Sequence, residues 1–287
     1  MVFCGRAAAC GAGTIVNAIS TFRGAAFALD IHTSAEVMLR EEEKGVYGVI
    51  EGGGDTRLIE LAVEDTLSRF DLDFGGVVKT SSEIPQASGL KSSSAAANAT
   101  VLATLAAIGE SLSREDAVRI GVGSAVKAGV TITGAFDDAA ASCLGGVVVT
   151  NNRSCEILRR EEVESEAVVY IPRVRAFSRD ANVLRARLIA PLVEDANRLA
   201  EAGDYWHAMT LNGLLYCAAL DFSPAPILDA LEAGAVSASL SGTGPSYVAI
   251  TDGDATKAVV GVWGRLNGRV IKTKINNNGA YVMEDKL

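Results

Sequence analysis

The chain has 287 residues, 49% of them hydrophobic, and a formal net charge of −9. Such an acidic balance excludes a general nucleic-acid binder, because no basic stripe is available to displace phosphate counterions. The length and apolar content predict a folded protein of one large domain or two packed lobes, and they exclude a disordered chain.

Cysteine and histidine usage bears on metal sites and on the compartment. Five cysteines are scattered without a CxxC pair, which is typical of reduced thiols in a cytosolic protein. The two histidines, His32 and His207, disfavour a His-based zinc site. The N-terminal residues lack a signal-peptide pattern and no apolar run reaches membrane-spanning length. We therefore expect a cytoplasmic protein that does not enter a membrane.

The first elements alternate strands with a glycine turn. Residues 2–9 read as a strand that leads into the turn Cys10–Thr14, where Gly11 and Gly13 can bring backbone close to a ligand. The turn lacks the third glycine of a dinucleotide fingerprint. Strands are predicted near 24–30 and 33–40, followed by a hairpin tip over 41–45. A helix is then predicted over 57–70, and a strand over 76–81.

A small-residue loop then enters an Ala-rich helix predicted over 95–108. The first N–H groups of a helix lack intrahelical partners and carry the positive end of the dipole, so this helix start can bind an anion, with nucleotide phosphates as the candidate ligand. A helix simply capped by serine is the alternative, and local chemistry leaves both open. The candidate cofactor-binding residues are Pro85, Gln86, Ala87, Ser88, Gly89, Leu90, Lys91, Ser92, Ser93, Ser94 and Ala95.

Two adjacent acids follow the next helix, which is predicted from Ser113 to about Ala128 with Ser113 as its N-cap. Asp137 and Asp138 stand just before the apolar segment 139–144, where either could cap that segment or take part in catalysis. A strand is predicted over 147–149.

The second half follows a different order of elements. Strands are predicted at 167–171, 236–240, 246–250 and 269–275, with helices at about 181–201, 205–220, 225–233 and 254–264. Without the extra helices, this order is a split βαβ arrangement. We place the boundary between the lobes near 150–165 and assign residues 1–155 and 156–287 to the two domains. Between the middle strands, Gly242, Thr243 and Gly244 form either a hairpin or a backbone contact with a ligand.

Three motifs in this order resemble those of the GHMP kinase superfamily. They are Gly5–Gly11, the loop Pro85–Ala95 with its P-x-x-x-G-L-x-S-S pattern, and Ser241–Ser246. Within the superfamily, the segments 11–19, 88–98 and 133–139 look most like the archaeal shikimate kinases. The resemblance implies an α+β, two-lobed fold, in which an N-terminal lobe like domain 2 of ribosomal protein S5 precedes a ferredoxin-like split βαβ lobe.

This resemblance also implies a reaction and its participants. The chain would use ATP and Mg²⁺ to phosphorylate shikimate to 3-phosphoshikimate, on the way to chorismate and aromatic amino acids. The loop backbone would wrap the ATP phosphates, with Ser93 beside Mg²⁺. Lys91 either neutralises phosphate charge or is a solvated surface lysine. The acceptor would contact Gly11, Gly13, Thr14 and Asp138.

The predicted catalytic groups are Asp138, Asp137 and Arg6. Asp138 is favoured as the group that orients or deprotonates the hydroxyl, and Asp137 would substitute for it or bind the metal. Arg6 stands where several relatives carry a lysine and would reach the substrate or the transferred phosphoryl group. Further candidates for the substrate carboxylate are Arg173, Arg175 and Arg179.

Two positions depart from the superfamily pattern. Ala12 stands where mevalonate kinases carry a glutamate, and Lys127 where some members place a metal-binding glutamate. The departures put the metal ligands in question more than the reaction class. A homoserine or mevalonate kinase is the nearest alternative, and a catalytically silent ligand-binding protein of the same fold is a second. We expect small-molecule partners only, with a homodimer left open.

Overall fold

The computed structural model describes residues 1–131, 134–173 and 182–284. Two sheets carry the helices of the chain. No helix of these described residues is long and apolar enough to cross a membrane.

The first sheet holds seven strands. Its order is β11-β1-β2-β4-β3, with β5 paired to the other end of the long strand β2 and β6 paired to β5. All of its pairings are antiparallel except that of β3 with β4. The strands are β1 (Val2–Val16), β2 (Arg23–Arg40), β3 (Val46–Ile50), β4 (Gly75–Ser82), β5 (Val147–Asn151), β6 (Glu156–Glu161) and β11 (Tyr281–Val282).

Four helices belong to the first half of the chain: α1 (Arg57–Ser68), α2 (Ser92–Ile108), α3 (Arg114–Lys127) and α4 (Phe136–Leu144). Helix α2 packs directly on β1, and its many alanines permit a short distance between the two backbones. At Gly5 of β1, an added Cβ would lie 2.1 Å from the carbonyl oxygen of Ala103. Because only glycine permits that approach, Gly5 allows α2 to pack closely against the sheet at this point.

The second sheet has four antiparallel strands in the order β10-β7-β9-β8. This is the split βαβ topology that the sequence predicted. Its strands are β7 (Glu166–Pro172), β8 (Ser237–Leu240), β9 (Tyr247–Thr251) and β10 (Gly268–Lys274). The remaining helices are α5 (Val183–Leu188), α6 (Ala190–Ala202), α7 (Tyr205–Leu220), α8 (Ala225–Glu232) and α9 (Gly253–Trp263).

Most predicted elements are confirmed. The turn predicted at Cys10–Thr14 is wrong, because β1 continues to Val16, and the hairpin tip predicted over 41–45 is wrong, because β3 pairs with β4 and not with β2. The strands predicted at 24–30 and 33–40 form one strand, β2, whose register with β1 shifts opposite Cys10. The helix predicted over 181–201 ends at Leu188 and restarts at Ala190, where Pro191 in the first turn of α6 cannot continue the hydrogen bonding of α5. Strands β3, β6 and β11 were not predicted. Because β6 pairs with β5, the first sheet includes residues up to Glu161, and the strands of the second sheet begin after it.

Candidate active site

The loop between β4 and α2 brings the backbone to the start of a helix. Ala87, Gly89 and Lys91 all have positive φ angles. Lys91 is the N-cap residue of α2, and no side chain of the described residues caps this helix. Of the two alternatives that the sequence left open, the serine-capped helix is therefore not the one that forms: Ser92, Ser93 and Ser94 are the first three helical residues. Their N–H groups, at the positive end of the dipole, remain available to an anion.

This loop packs against the glycine loop that joins β8 to β9. The Ser241 hydroxyl donates a hydrogen bond to the Gly89 carbonyl at 2.9 Å, and the Ser246 N–H donates to the Ser88 carbonyl at 3.1 Å. A Cβ on Gly89 would lie 2.4 Å from the carbonyl oxygen of Ser241. The structure therefore brings together two of the three motifs, which stand some 150 residues apart in the sequence.

The end of β1 contacts the glycine loop through side chains that follow the motif Gly5–Gly11, rather than through its glycines. The Thr14 hydroxyl accepts a hydrogen bond from the Gly242 N–H at 2.9 Å, and the Asn17 amide donates to the Gly242 carbonyl at 2.8 Å. By contrast, a Cβ on Gly13 would strike the ring of Phe27, and one on Gly11 would press on Ile31 and Ile84. These two glycines make room for core side chains, so the prediction that they contact substrate is not supported by their positions.

Asp138 and Lys91 meet where the loops converge. The ammonium nitrogen of Lys91 lies 3.0 Å from Oδ1 of Asp138, and the two side chains are only 11% and 12% exposed. Oδ1 of Asp138 takes part in no hydrogen bond within the described residues, so the contact is an ion pair without hydrogen-bond geometry. A carboxylate with a free lone pair at the rim of a cleft can accept a proton from a hydroxyl group.

The neighbouring Asp137 lines the same cleft as Asp138, but it is buried and its carboxylate oxygens have partners within the protein. Its Oδ1 accepts a hydrogen bond from the Asn152 side chain at 2.8 Å, and its other oxygen lies against Gly24. Asn152 is held in turn by the Thr150 hydroxyl at 2.8 Å. Burial, and secondly the nearby charge of Asp138, raise the pKa of Asp137 to about 7, against the opposing effect of Lys91. Asp137 is thus less suited than Asp138 to meet a substrate hydroxyl.

Two clefts include residues of the loop Pro85–Ala95 in their lining. The first, here the aspartate cleft, is lined by residues including Asn17, Ala18, Ile19, Lys91, Asp138 and Gly242. The second, the loop cleft, is larger, with a volume of about 400 Å³, and is lined by residues including Ile50, Thr80, Pro85, Gln86, Ser88 and Arg173. Of the predicted glycine-loop residues, Gly242 and Thr243 line the aspartate cleft, whereas Gly244 packs against the ring of Phe222.

Several predicted basic residues lie elsewhere. Arg6 pairs with Glu36, at 2.6 Å, on an exposed part of the first sheet. It stands eight residues along β1 from Thr14, or about 26 Å at 3.3 Å per residue, so the structure does not bring it to Asp138. Lys127 contacts Asp65 of α1 at 2.5 Å. Arg173 lines the loop cleft, and Arg175 and Arg179 lie outside the described residues.

Sequence reasoning missed the two asparagines of this site. Asn17 connects the end of β1 with the glycine loop and, through its N–H, with the Asn212 side chain at 2.9 Å. Asn152 holds Asp137. The available signal was a polar side chain directly after a buried strand, at 17 after β1 and at 152 after β5.

Comparison with known proteins defines the class to which this fold and site belong. The family model "GHMP kinases N terminal domain" matches residues 57–146. A homoserine kinase structure from Cytophaga hutchinsonii superposes with a TM-score of 0.73, at 18% identity, over 98% of this chain and 97% of that one. The Methanococcus jannaschii mevalonate kinase gives a TM-score of 0.74, at 14% identity, over 96% and 98%. The fold is therefore that of the GHMP kinases, with the two sheets that the sequence predicted.

Whole-chain relatives narrow the class. A shikimate kinase of Methanosarcina mazei is 55% identical over 280 residues, 96% of each chain. The shikimate kinase of Halobacterium salinarum strain R1 is 52% identical over 96% of this chain and 98% of that one, and that of Methanothermobacter thermautotrophicus is 41% identical over 96% of both. This chain belongs to the archaeal-type shikimate kinase family of the GHMP kinases.

Proposed function

We propose that this protein phosphorylates shikimate to 3-phosphoshikimate, with ATP as the phosphoryl donor. The observation that carries the proposal is the position of Asp138, in a cleft where it contacts Lys91 at the start of α2. The family membership supports the choice of acceptor, because relatives that are 55% and 52% identical to this chain are shikimate kinases.

The donor nucleotide would occupy the loop cleft, with its phosphates at the start of α2. GHMP kinases use ATP, and the loop offers the backbone groups from Gln86 to Ser94 for its phosphates. The uncapped N–H groups and the positive φ of Gly89 support this placement. Phosphoryl transfer depends mainly on positioning and charge stabilisation, so a small set of groups is sufficient.

Magnesium fits this site chiefly as an ion that arrives with the nucleotide. Ser93 is exposed in the first turn of α2 and offers one hydroxyl oxygen. The described residues contain no cluster of three acidic, histidine or cysteine side chains that would hold a cation by themselves. We propose Ser93, phosphate oxygens and water as the ligands, an arrangement that Mg²⁺ commonly adopts. When bound, Mg²⁺ would neutralise charge on the phosphates.

Asp138 would act on the acceptor. Its carboxylate would accept the proton of the attacking hydroxyl as the new O–P bond forms. Asp137 cannot take this place without leaving its bond with Asn152. We therefore retain Asp138 as the principal acid–base group, with Asp137 behind it.

A panel of acceptors tests the function. ATP-coupled assays with shikimate, homoserine and mevalonate should show turnover with shikimate at a kcat/KM at least about 100-fold above the other two. If the protein turns over homoserine or mevalonate but not shikimate, shikimate is not the acceptor. A catalytically silent binding protein would bind ATP by calorimetry and turn over none of the three.

The organisation of the protein is also a proposal. We divide the chain into lobes of residues 1–155 and 156–287, although β6 adds to the first sheet. A homodimer would need an apolar contact surface, and Leu184, Leu188 and Leu192 are at least half exposed on α5 and α6. Light scattering of the wild type and of a Leu188→Glu variant would show whether that surface joins two copies.

A further inference from the structure

One cation faces the candidate base. The ammonium group of Lys91 is 3.0 Å from the Asp138 carboxylate, and both side chains are nearly nine-tenths buried. Among the described residues that line the aspartate cleft, Lys91 is the one basic residue. Lys91 is also the N-cap residue of α2, directly before the N–H groups proposed to hold the phosphates. It therefore stands between the two reacting partners.

The glycine loop leaves the space that this position requires. A Cβ on Gly242 would lie 2.7 Å from the Lys91 ammonium nitrogen. Gly242 is itself fixed by Thr14 and Asn17. The lysine is thus placed by three separate segments of the chain, which argues against a freely moving surface side chain.

We propose that Lys91 is a catalytic residue whose ammonium group links the Asp138 carboxylate to the phosphoryl group during its transfer. This inference rests on the proposed kinase function and adds a residue role to it. The sequence offered both Arg6 and Lys91 as cations for the phosphate charge, and it is Lys91 that lies beside Asp138. Arg6 lies on β1 beside Glu36.

One bond forms and one breaks at the γ-phosphorus during the transfer. The acceptor hydroxyl gives its proton to Asp138 while its oxygen forms a bond with the γ-phosphorus of ATP. The bond between that phosphorus and the β,γ-bridging oxygen breaks, and its electron pair leaves with ADP. Asp138 thereby loses its negative charge as charge grows on the bridging oxygen. A cation in contact with both groups stabilises the charge at the start and at the end of the step, without exchanging a proton itself.

Kinetics of Lys91 variants test the proposal. Lys91→Met should lower kcat about 10²–10³-fold, the usual cost of losing one charge-stabilising donor, with less than about a threefold change in the KM for shikimate. Lys91→Arg keeps the charge, so its kcat should be at least about tenfold higher than that of Lys91→Met. The matched control is Lys272→Met, which removes a lysine from an ion pair with Glu166 in the second sheet and should leave kcat unchanged.

Three results would overturn the proposal. A rise in the KM for shikimate at constant kcat would make Lys91 a ligand of the acceptor carboxylate. A rise in the KM for ATP alone would make it a nucleotide-binding residue only. An equal loss of kcat in the Arg and Met variants would show that the positive charge of residue 91 does not stabilise the transfer.

The ion pair has a readout besides activity. Without ligands, the Tm losses of Lys91→Met and Asp138→Asn should be non-additive in the double variant, because each single change leaves the other group buried without its partner. Additive losses would contradict the pair. If the wild type proves inactive on shikimate but turns over another hydroxyl acceptor, the same kinetics on that acceptor still decide the role of Lys91, separately from the choice of substrate.

Discussion

Replacing Asp137 by asparagine should make the protein more stable at neutral and alkaline pH. The carboxyl group is 4% exposed, lies against Gly24 and receives one hydrogen bond from Asn152. Burial and the charge of Asp138 both oppose its ionisation. Asparagine has the same shape and keeps an oxygen for the Asn152 amide, but it carries no charge.

The magnitude follows from the pKa. Folding raises the pKa of Asp137 from 3.8 to about 7, and each pH unit corresponds to 1.36 kcal/mol, so ionising the buried group costs about 4 kcal/mol. Between these two pKa values the native state holds a proton that the unfolded state has lost, so the wild type loses stability as pH rises. Above pH 7 the cost is complete. The asparagine variant avoids it, and at about 2.1 cal/mol/K for each residue its Tm should exceed that of the wild type by about 7 °C.

The assay is thermal and denaturant unfolding of both proteins from pH 4.5 to pH 9. The stability difference should be small at the acid end, grow up to about pH 7 and then stay constant. Asp254→Asn, at a side chain that is 99% exposed, serves as the control and should show no such growth. A difference that does not vary with pH, or a variant that is less stable at pH 8, would refute the reasoning.

Three further predictions concern the site itself. Asp138→Asn should lower kcat at least about 10³-fold while the Kd for ATP changes less than about threefold; full turnover would exclude it as the acid–base group. Ser93→Ala should raise the Mg²⁺ concentration for half-maximal activity about tenfold and leave the KM for shikimate unchanged, and the reverse pattern would place the serine in the acceptor site. Gly89→Ala should lower Tm and weaken ATP binding by calorimetry, because its Cβ would lie 2.4 Å from the Ser241 carbonyl oxygen; unchanged affinity would show that the two loops can separate.

The fold was largely predictable because its signals are local. Alternating apolar residues predicted β2, helical spacing predicted α1, and the N-cap Ser113 predicted the start of α3. Strands β3, β6 and β11 were missed because all three are short edge strands, as in the charged segment Glu156–Glu161. Edge strands have one partner and need no continuous apolar face, so their sequences carry a weak signal.

The site was predictable to the extent that it consists of motifs. The loop Pro85–Ala95 and the pair Asp137-Asp138 were selected from the sequence, and the structure brings both to one place. The roles of Gly11, Gly13 and Arg6 were not predictable, because they depend on which side of β1 each residue faces and on what packs there. For the glycines, that neighbour is a core side chain.

The sequence by itself determined the order of elements, the helix start that can bind an anion, and the pair of acids. Those features depend on short-range geometry and composition. Only the tertiary structure decided that Lys91 faces Asp138, that Asp137 is hydrogen-bonded to Asn152, and that Gly242 leaves room for the Lys91 ammonium group. Those contacts join residues from distant parts of the chain, and their geometry is set by the packing of α2, α4 and the glycine loop on the long strands β1 and β2.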